Sequence, residues 1–396
     1  MEQIKFDKEK QYGIVLEGGG AKGAYQIGVW KALLEKNIKI KGVAGVSVGA
    51  LNGALICMGD YKQAEDLWSN ISYSSIMDVN DESMDNIINR KLKEISLQAI
   101  REDGKKIISD GGFDVEPLKK LIREAIDENK IRKSKIEFII GTFSLSELKE
   151  VELNVEDIEK GKLGDFLMAS ASLPFFKNEK LDGKRYIDGG VTNNLPIDML
   201  IRRGYKDIIV IRIHGIGIEK RVKIPDDVNV IEISPEVDLG YILEFEKSKA
   251  NKNMKIGYYD GLRIIESLLG EFYFIKDEGN NEKDYFDKLT NISDDLYENI
   301  LQGYKLERKE KSRIRMLSEE IYPRIAQGLK LEKNWSYKKI YYSILESCSK
   351  RFRLTRYNIY SLEELKKALY SKIEERNNEI ENNIIIEITK ELIGYR

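Results

Sequence analysis

The sequence is short of histidine, cysteine and net charge, and it has no long run of large apolar residues. His214 is the one histidine, and Cys57 and Cys348 are the two cysteines, in 396 residues. Two cysteines cannot build a disulfide framework, and these show no metal-ligand spacing, so they read as ordinary thiols of a reducing compartment. The histidine count restricts catalysis more sharply, because a hydrolase that needs an imidazole base has only His214 to use. Lys and Arg number 65 against 67 Asp and Glu, a formal net charge of −2. So even a balance leaves no electrostatic footprint for nucleic acid, nor for constitutive attachment to an anionic membrane. The opening MEQIKFDKEKQ lacks the apolar core of a signal peptide, and a cytoplasmic location is expected, with export by an uncleaved route left open.

Apolar residues make up 42% and charged residues 33%, the proportions of a soluble, highly charged globular protein with enough chain for two domains. Residues 42–59 are uncharged, and Gly45, Gly49 and Gly53 repeat the small-residue spacing of a membrane helix pair. That run is barely long enough to span, carries five glycines with Ser47 and Asn52, and lacks the Leu, Ile and Phe density of a span. No transmembrane segment is expected.

The same stretch has a better reading. Gly45-Val46-Ser47-Val48-Gly49 fits G-x-S-x-G, with residues 43–44 reading as strand and residues 50–58 as helix. That is the setting of a nucleophile elbow, where the backbone at the serine is strained and residues two positions away must lack a Cβ. In a chain with 31 glycines the pattern alone is weak. Residues 12–17 (YGIVLE) read as a buried strand running into Gly18-Gly19-Gly20-Ala21-Lys22-Gly23, and a helical spacing follows from Tyr25 to Leu34. A strand, a glycine turn and a helix gather bare amides and a helix dipole into a place for negative charge. Gly18, Gly20 and Gly23 also satisfy G-x-G-x-x-G, but a dinucleotide site wants an acidic residue about 20 positions on. Lysines and then the elbow stand there instead. A Walker loop is excluded, since no Gly-Lys-Ser/Thr follows.

Further along, residues 61–133 are polar and helical in pattern, with Leu118, Leu121, Ile122 and Ile126 on one face and a helix start at Phe113-Asp114-Val115-Glu116-Pro117. Asp78, Asn80 and Glu82 resemble a calcium loop, but Ser83 and Asn89 occupy the positions that need Gly and Glu, so no metal is expected. Residues 136–143 and 151–153 read as paired strands, residues 165–174 as a small-residue helix ending near Pro174, and residues 184–187 as a short strand ending at Asp188-Gly189-Gly190. Asp-Gly is an ordinary turn. An Asp at a strand end, followed by two glycines and by Asn193-Asn194-Leu195-Pro196, is also how a sheet-edge site is built. Residues 208–213 and 228–233 are further strands, and His214 follows the first. Beyond about Gly270 the pattern is amphipathic helix, including residues 314–331, 337–347 and 362–392.

Taken together, the three motifs, in this order, resemble the patatin-like phospholipases, over residues 13 to about 268. Residues 169–176 (ASASLPFF) and 193–196 (NNLP) look similar too. The resemblance implies a three-layer α/β/α fold over residues 1–268, leaving residues 269–396 as a helical region of unassigned role. It implies a Ser-Asp dyad with Ser47 as nucleophile and Asp188 as base, the amides of Gly18, Gly19 and Gly20 forming an oxyanion hole, and Val48 N–H a further donor. Lys22, Gly23, Gly45, Gly49, Gly189 and Gly190 support the motifs. Lys22 is expected either to meet a lipid phosphate or to be solvated. A carboxylate is a weak base in water, so Asp188 is expected to be desolvated and unpaired, with a raised pKa. No cofactor is expected, and the partner is a lipid substrate met through transient contact with a membrane surface. The implied reaction is release of fatty acid from a phospholipid, lysophospholipid or acylglycerol. Acyl transfer through the same acyl-enzyme and a non-catalytic lipid-sensing module are the alternatives.

Overall fold

The computed structural model describes residues 6–81, 114–173, 176–177, 180–307, 312–376 and 383–395. Glu82, Ser83, Asn89, Phe113, Pro174 and Phe175, which entered the sequence reading, lie outside these. The chain divides into two compact units, Met1–Ile265 and Glu266–Arg396.

The first unit is built on a mixed sheet. In chain order it contains β1 (Gln11–Leu16), α1 (Ala24–Glu35), β2 (Lys39–Val46), α2 (Val48–Met58), α3 (Tyr61–Ser69), α4 (Glu116–Ala125), α5 (Glu128–Lys133), β3 (Glu137–Ser144), β4 (Lys149–Asn154), α6 (Leu163–Ser170), β5 (Lys180–Leu181), β6 (Lys184–Asp188), α7 (Ile197–Arg202), β7 (Asp207–Ile211), β8 (Asn229–Ile233) and α8 (Lys247–Ile265). The strand order is β5-β6-β3-β2-β1-β7-β8, with β4 on the other side of β3. Strands β3, β2, β1, β7 and β8 run parallel, whereas β4 and β6 are antiparallel to β3. The expected small-residue helix stops at Ser170, four residues before Pro174.

Alternation along the parallel strands explains how both faces are covered, since successive side chains point to opposite sides. Val15, Ala44 and Ile139 join Ile208 and Val210 under α7, in a cluster with Ile197, Met199 and Leu200. Their neighbours Val43 and Phe138 face the other way and meet Gly53 of α2. Helices therefore lie on both faces, the three-layer α/β/α arrangement.

The second unit is mainly helical, its core formed by residues such as Tyr285, Leu289, Ile300, Leu317, Tyr322, Ile344 and Leu365. The expected helix over residues 314–331 is interrupted by a π turn at Leu317–Ile321. A short parallel pairing of Phe274–Ile275 with Ile359–Tyr360, absent from the sequence reading, sits among the helices. The buried Glu346 carboxylate accepts the amides of Glu271, Phe272 and Tyr273 at 3.0, 2.9 and 2.7 Å, which satisfies backbone that no strand or helix pairs. Among the described residues no helix is long and apolar enough to cross a membrane.

Helices α1 and α8 pack at close range. A Cβ at Gly28 would stand 1.9 Å from the Met254 carbonyl oxygen, and one at Gly257 would stand 2.0 Å from that of Tyr25. Gly28→Ala therefore forces the helices apart and is expected to lower the unfolding free energy in urea by about 2 kcal/mol. A variant with parental stability would contradict this packing.

Candidate active site

Ser47 stands between β2 and α2 with φ 57° and ψ −129°, a region that residues with a Cβ seldom occupy. The flanking glycines make the turn possible. A Cβ on Gly45 would lie 2.3 Å from the Gly49 carbonyl oxygen, and one on Gly49 would lie 2.3 Å from that of Leu16. The strain is held by hydrogen bonds. The Ser47 amide donates to Ser170 Oγ at 2.9 Å, and the Ser47 carbonyl accepts the amides of Ala50 and Leu51 as α2 begins.

The pairing of β3 brings Asp188 to this turn. Along one edge of β3, Gly141 is opposite Val46 of β2, and the next residue, Thr142, is opposite Asp188 of β6. Strand β4 takes the other edge of β3 at these positions, so β6 occupies the lane that β2 leaves. Because β2 is parallel to β3 and β6 antiparallel, their carboxyl ends face one another. The sequence reading put both residues at strand carboxyl ends. The antiparallel approach of β6 could not be read from it, because strand direction depends on connections that no local pattern encodes.

Asp188 is only 4% exposed. Its Oδ1 accepts the Gly190 amide at 2.8 Å. The Ser47 hydroxyl approaches closely enough to pull the carboxyl pKa down, but burial outweighs this and the Gly190 bond, and the pKa is pushed up to about 6. Among the described residues Oδ2 has no donor in hydrogen-bonding geometry, yet the Ser47 hydroxyl is close enough to act on the carboxyl, an alignment that catalytic pairs often complete only when substrate arrives. Among the described residues no Lys or Arg forms an ion pair with Asp188.

The glycine turn lies alongside. Gly20 has φ 54°, and the Ala21 amide is taken up by the Ile242 carbonyl at 2.8 Å. The Gly18 amide donates to the Asn194 carbonyl at 3.2 Å, so it is committed to the framework and not free to meet an oxyanion. The amides of Gly19, Gly20 and Val48 have no acceptor among the described residues. Beneath the turn the buried Glu17 carboxylate accepts the amides of Ile213, His214 and Gly215 at 2.5, 3.0 and 3.1 Å; burial raises its pKa against those bonds. The Asn194 amide group reaches the Gly18 carbonyl at 3.1 Å, and a Cβ on either Gly18 or Gly190 would strike Asn194 Oδ1. Asn194 thus wedges the glycine turn against the Asp188-Gly189-Gly190 turn.

Lys22 and His214 make contacts on the loop after β7. The Lys22 ammonium donates to the His214 carbonyl at 2.7 Å, which ties the glycine turn to the loop after β7; burial lowers its pKa. His214 itself is exposed, and its Nε2 hydrogen-bonds the Ser234 hydroxyl at 3.0 Å. No hydrogen bond joins its ring to Ser47 or Asp188.

An apolar cavity opens at Ser47, Val48 and Gly20. Its walls come from Leu51 and Leu55 of α2, Leu67 and Trp68 of α3, Leu118, Leu121 and Ile122 of α4, and Leu173 and Phe176 beyond α6. The apolar face of α4 was legible as a helix stripe. Its use as a cavity wall was not, since a packing face and a lining face have the same spacing.

Residues 14–201 match the family model described as patatin-like phospholipase. This segment is similar to the patatin-like phospholipases. "Probable lipid hydrolase 463L" of Invertebrate iridescent virus 6 is 28% identical over 194 residues, covering 48% of this chain and 63% of that protein. "Neuropathy target esterase sws" of Drosophila melanogaster is 30% identical over 203 residues, 50% of this chain and 12% of its own length. The chain therefore spans less than two thirds of either relative. VipD from Legionella pneumophila superposes with a TM-score of 0.39 at 14% identity, covering 93% of this chain and 84% of that one, a likeness too distant to carry an argument.

The buried carboxyl in the patatin-like domain has a cost that depends on pH. In the unfolded chain an Asp titrates near pH 3.9, and in the fold it titrates at about 6. Between these values the folded protein holds a proton that the unfolded chain has lost, so stability falls as pH rises. Above about pH 6 the penalty is constant, at about 3 kcal/mol. Asp188→Asn is expected to be more stable than the parent by roughly 1–3 kcal/mol in urea at pH 8 and equal to it below about pH 4. A variant less stable than the parent at pH 8 would contradict the assignment of a desolvated, unpaired carboxylate.

Proposed function

We propose that the chain is a serine lipid acyl hydrolase that releases fatty acid from a glycerolipid through a Ser47–Asp188 dyad and an acyl-enzyme. The observation that carries this reading is the meeting of a strained serine with a buried, unpaired carboxylate at the mouth of an apolar cavity.

A free alcohol is a poor nucleophile at neutral pH. Asp188, with its pKa raised toward neutrality, takes the proton as Ser47 Oγ attacks the ester carbonyl carbon, and the carbonyl π electrons move onto oxygen. Three amides without acceptors, those of Gly19, Gly20 and Val48, are suited to hold that oxyanion, and one such donor is typically worth about 3 kcal/mol. Collapse of the tetrahedral intermediate expels the alcohol, which takes the proton back from Asp188. Water, deprotonated by the same carboxylate, then attacks the acyl-serine and frees the fatty acid and the Ser47 hydroxyl. The apolar walls of α2, α3 and α4 suit an acyl chain, whose burial favours binding by about 0.8 kcal/mol per methylene. Gly18, with its amide engaged by Asn194, shapes the turn and is no longer counted among the oxyanion donors.

His214 is the internal control. Hydrolysis of a short-chain p-nitrophenyl ester is expected to fall at least about 1,000-fold in Ser47→Ala and in Asp188→Asn, and to stay within about threefold of parent in His214→Ala. For the parent, kcat/KM is expected to rise with pH through about 6, where Asp188 loses its proton. Loss of turnover in His214→Ala, or parental turnover in Asp188→Asn, would overturn the dyad.

A further inference from the structure

Where β2 leaves the sheet for the elbow, its ladder with β3 is cut. Val46 and Gly141 are the last partners, and β6 begins to pair only at Thr142. The backbone at the cut is buried, so the Ser47 amide and the Gly141 carbonyl both need partners that water cannot supply. One atom serves both. Ser170 Oγ accepts from the Ser47 amide at 2.9 Å and donates to the Gly141 carbonyl at 2.6 Å, and Ser170 is fully buried. A hydroxyl is the smallest side-chain group that accepts and donates strongly at once; a methyl does neither, and a thiol does both weakly.

Two residues on, the Ser172 carbonyl accepts the Asp188 amide at 2.8 Å. A single short segment at the end of α6 therefore holds the backbone of Ser47 through a side chain and the backbone of Asp188 through a carbonyl. Ala171, between the two anchors, lines the apolar cavity. We infer that residues 170–172 are a clamp that sets the separation of Ser47 and Asp188, and that Ser170 is a positioning residue for Ser47. The kinetic consequence rests on the hydrolase reading above; the structural consequence does not. Without the Ser170 hydroxyl the elbow loses the bond that fixes its amide, so the Ser47 hydroxyl is aimed less well at both the carboxylate and the ester.

The test uses the full chain with Ser170→Ala, Ser170→Cys and Ser170→Thr. In Ser170→Ala, kcat on a p-nitrophenyl ester is expected to fall about 30-fold or more with KM within about threefold of parent, and exchange of the Ser47 amide hydrogen is expected to quicken at least about tenfold. Ser170→Cys keeps the volume while weakening both bonds, shows the same changes to a smaller degree, and decides the matter should the alanine variant not fold. Ser170→Thr keeps the hydroxyl and is expected to recover most of the turnover. Parental turnover per folded molecule together with parental exchange at Ser47, in either the Ala or the Cys variant, would overturn the clamp. Should a fluorophosphonate fail to label Ser47 in the parent, the hydrolase reading falls, and amide exchange still decides whether Ser170 holds the elbow.

Discussion

The site depends on one edge of one strand. Strand β3 pairs with β2 as far as Gly141 and with β6 from Thr142, so a parallel and an antiparallel neighbour end against each other in the same lane. Hydrogen-bond ladders space their strands at about 4.8 Å and fix register residue by residue. The ends of β2 and β6 are therefore located by backbone alone, before any side chain contributes. Residues 47 and 188 are far apart in the chain, and this shared splint is what makes them neighbours. The register also creates the local difficulty that Ser170 resolves, because a strand that stops in mid-sheet leaves buried polar backbone behind.

Around the splint, buried charge is balanced mainly by backbone amides, with Arg212 adding a longer-range attraction to Glu17. Glu17 sits under the glycine turn on three amides, and Asp188 has one, from Gly190. The contrast is chemically useful. Amides that hold Glu17 lock the loop after β7 against the turn, while a carboxylate with one oxygen engaged and the other unpartnered keeps a raised proton affinity without being neutralised by a lysine or arginine. A low-dielectric setting strengthens whatever dipoles remain unmatched, and among the described residues the amides of Gly19, Gly20 and Val48 have no acceptor.

Much of this was legible in the chain. The glycines of the elbow announced a backbone that cannot tolerate Cβ atoms, and the structure places carbonyl oxygens where those atoms would be. Alternation and β-branched runs located β1, β3, β7 and β8 to within about two residues, whereas β2 begins at Lys39, four residues before the stretch read as strand. The less visible features were those in which one residue serves two distant segments. Nothing in MASASLP marks Ser170 as different from its small neighbours, and Asn194 looks like any turn asparagine until Gly18 and Gly190 close on it. Glu17 read simply as the end of a strand. Gly18 was expected to offer its amide to substrate, and only the tertiary contact with Asn194 removes it. In the second unit the π turn at Leu317–Ile321 interrupts a helical periodicity that looked continuous, because a one-residue insertion in a helix leaves the apolar spacing nearly intact.

The most direct test of the central claim is a crystal structure of the protein after reaction with an alkyl fluorophosphonate. The account predicts a phosphonate on Ser47 Oγ, its oxygen within 2.7–3.1 Å of amides from Gly19, Gly20 and Val48, the Asp188 carboxylate beside Oγ, and the alkyl chain lying between α2 and α4. A phosphonyl oxygen turned away from all three amides, or an Asp188 carboxylate pointing away from the adduct, would contradict it.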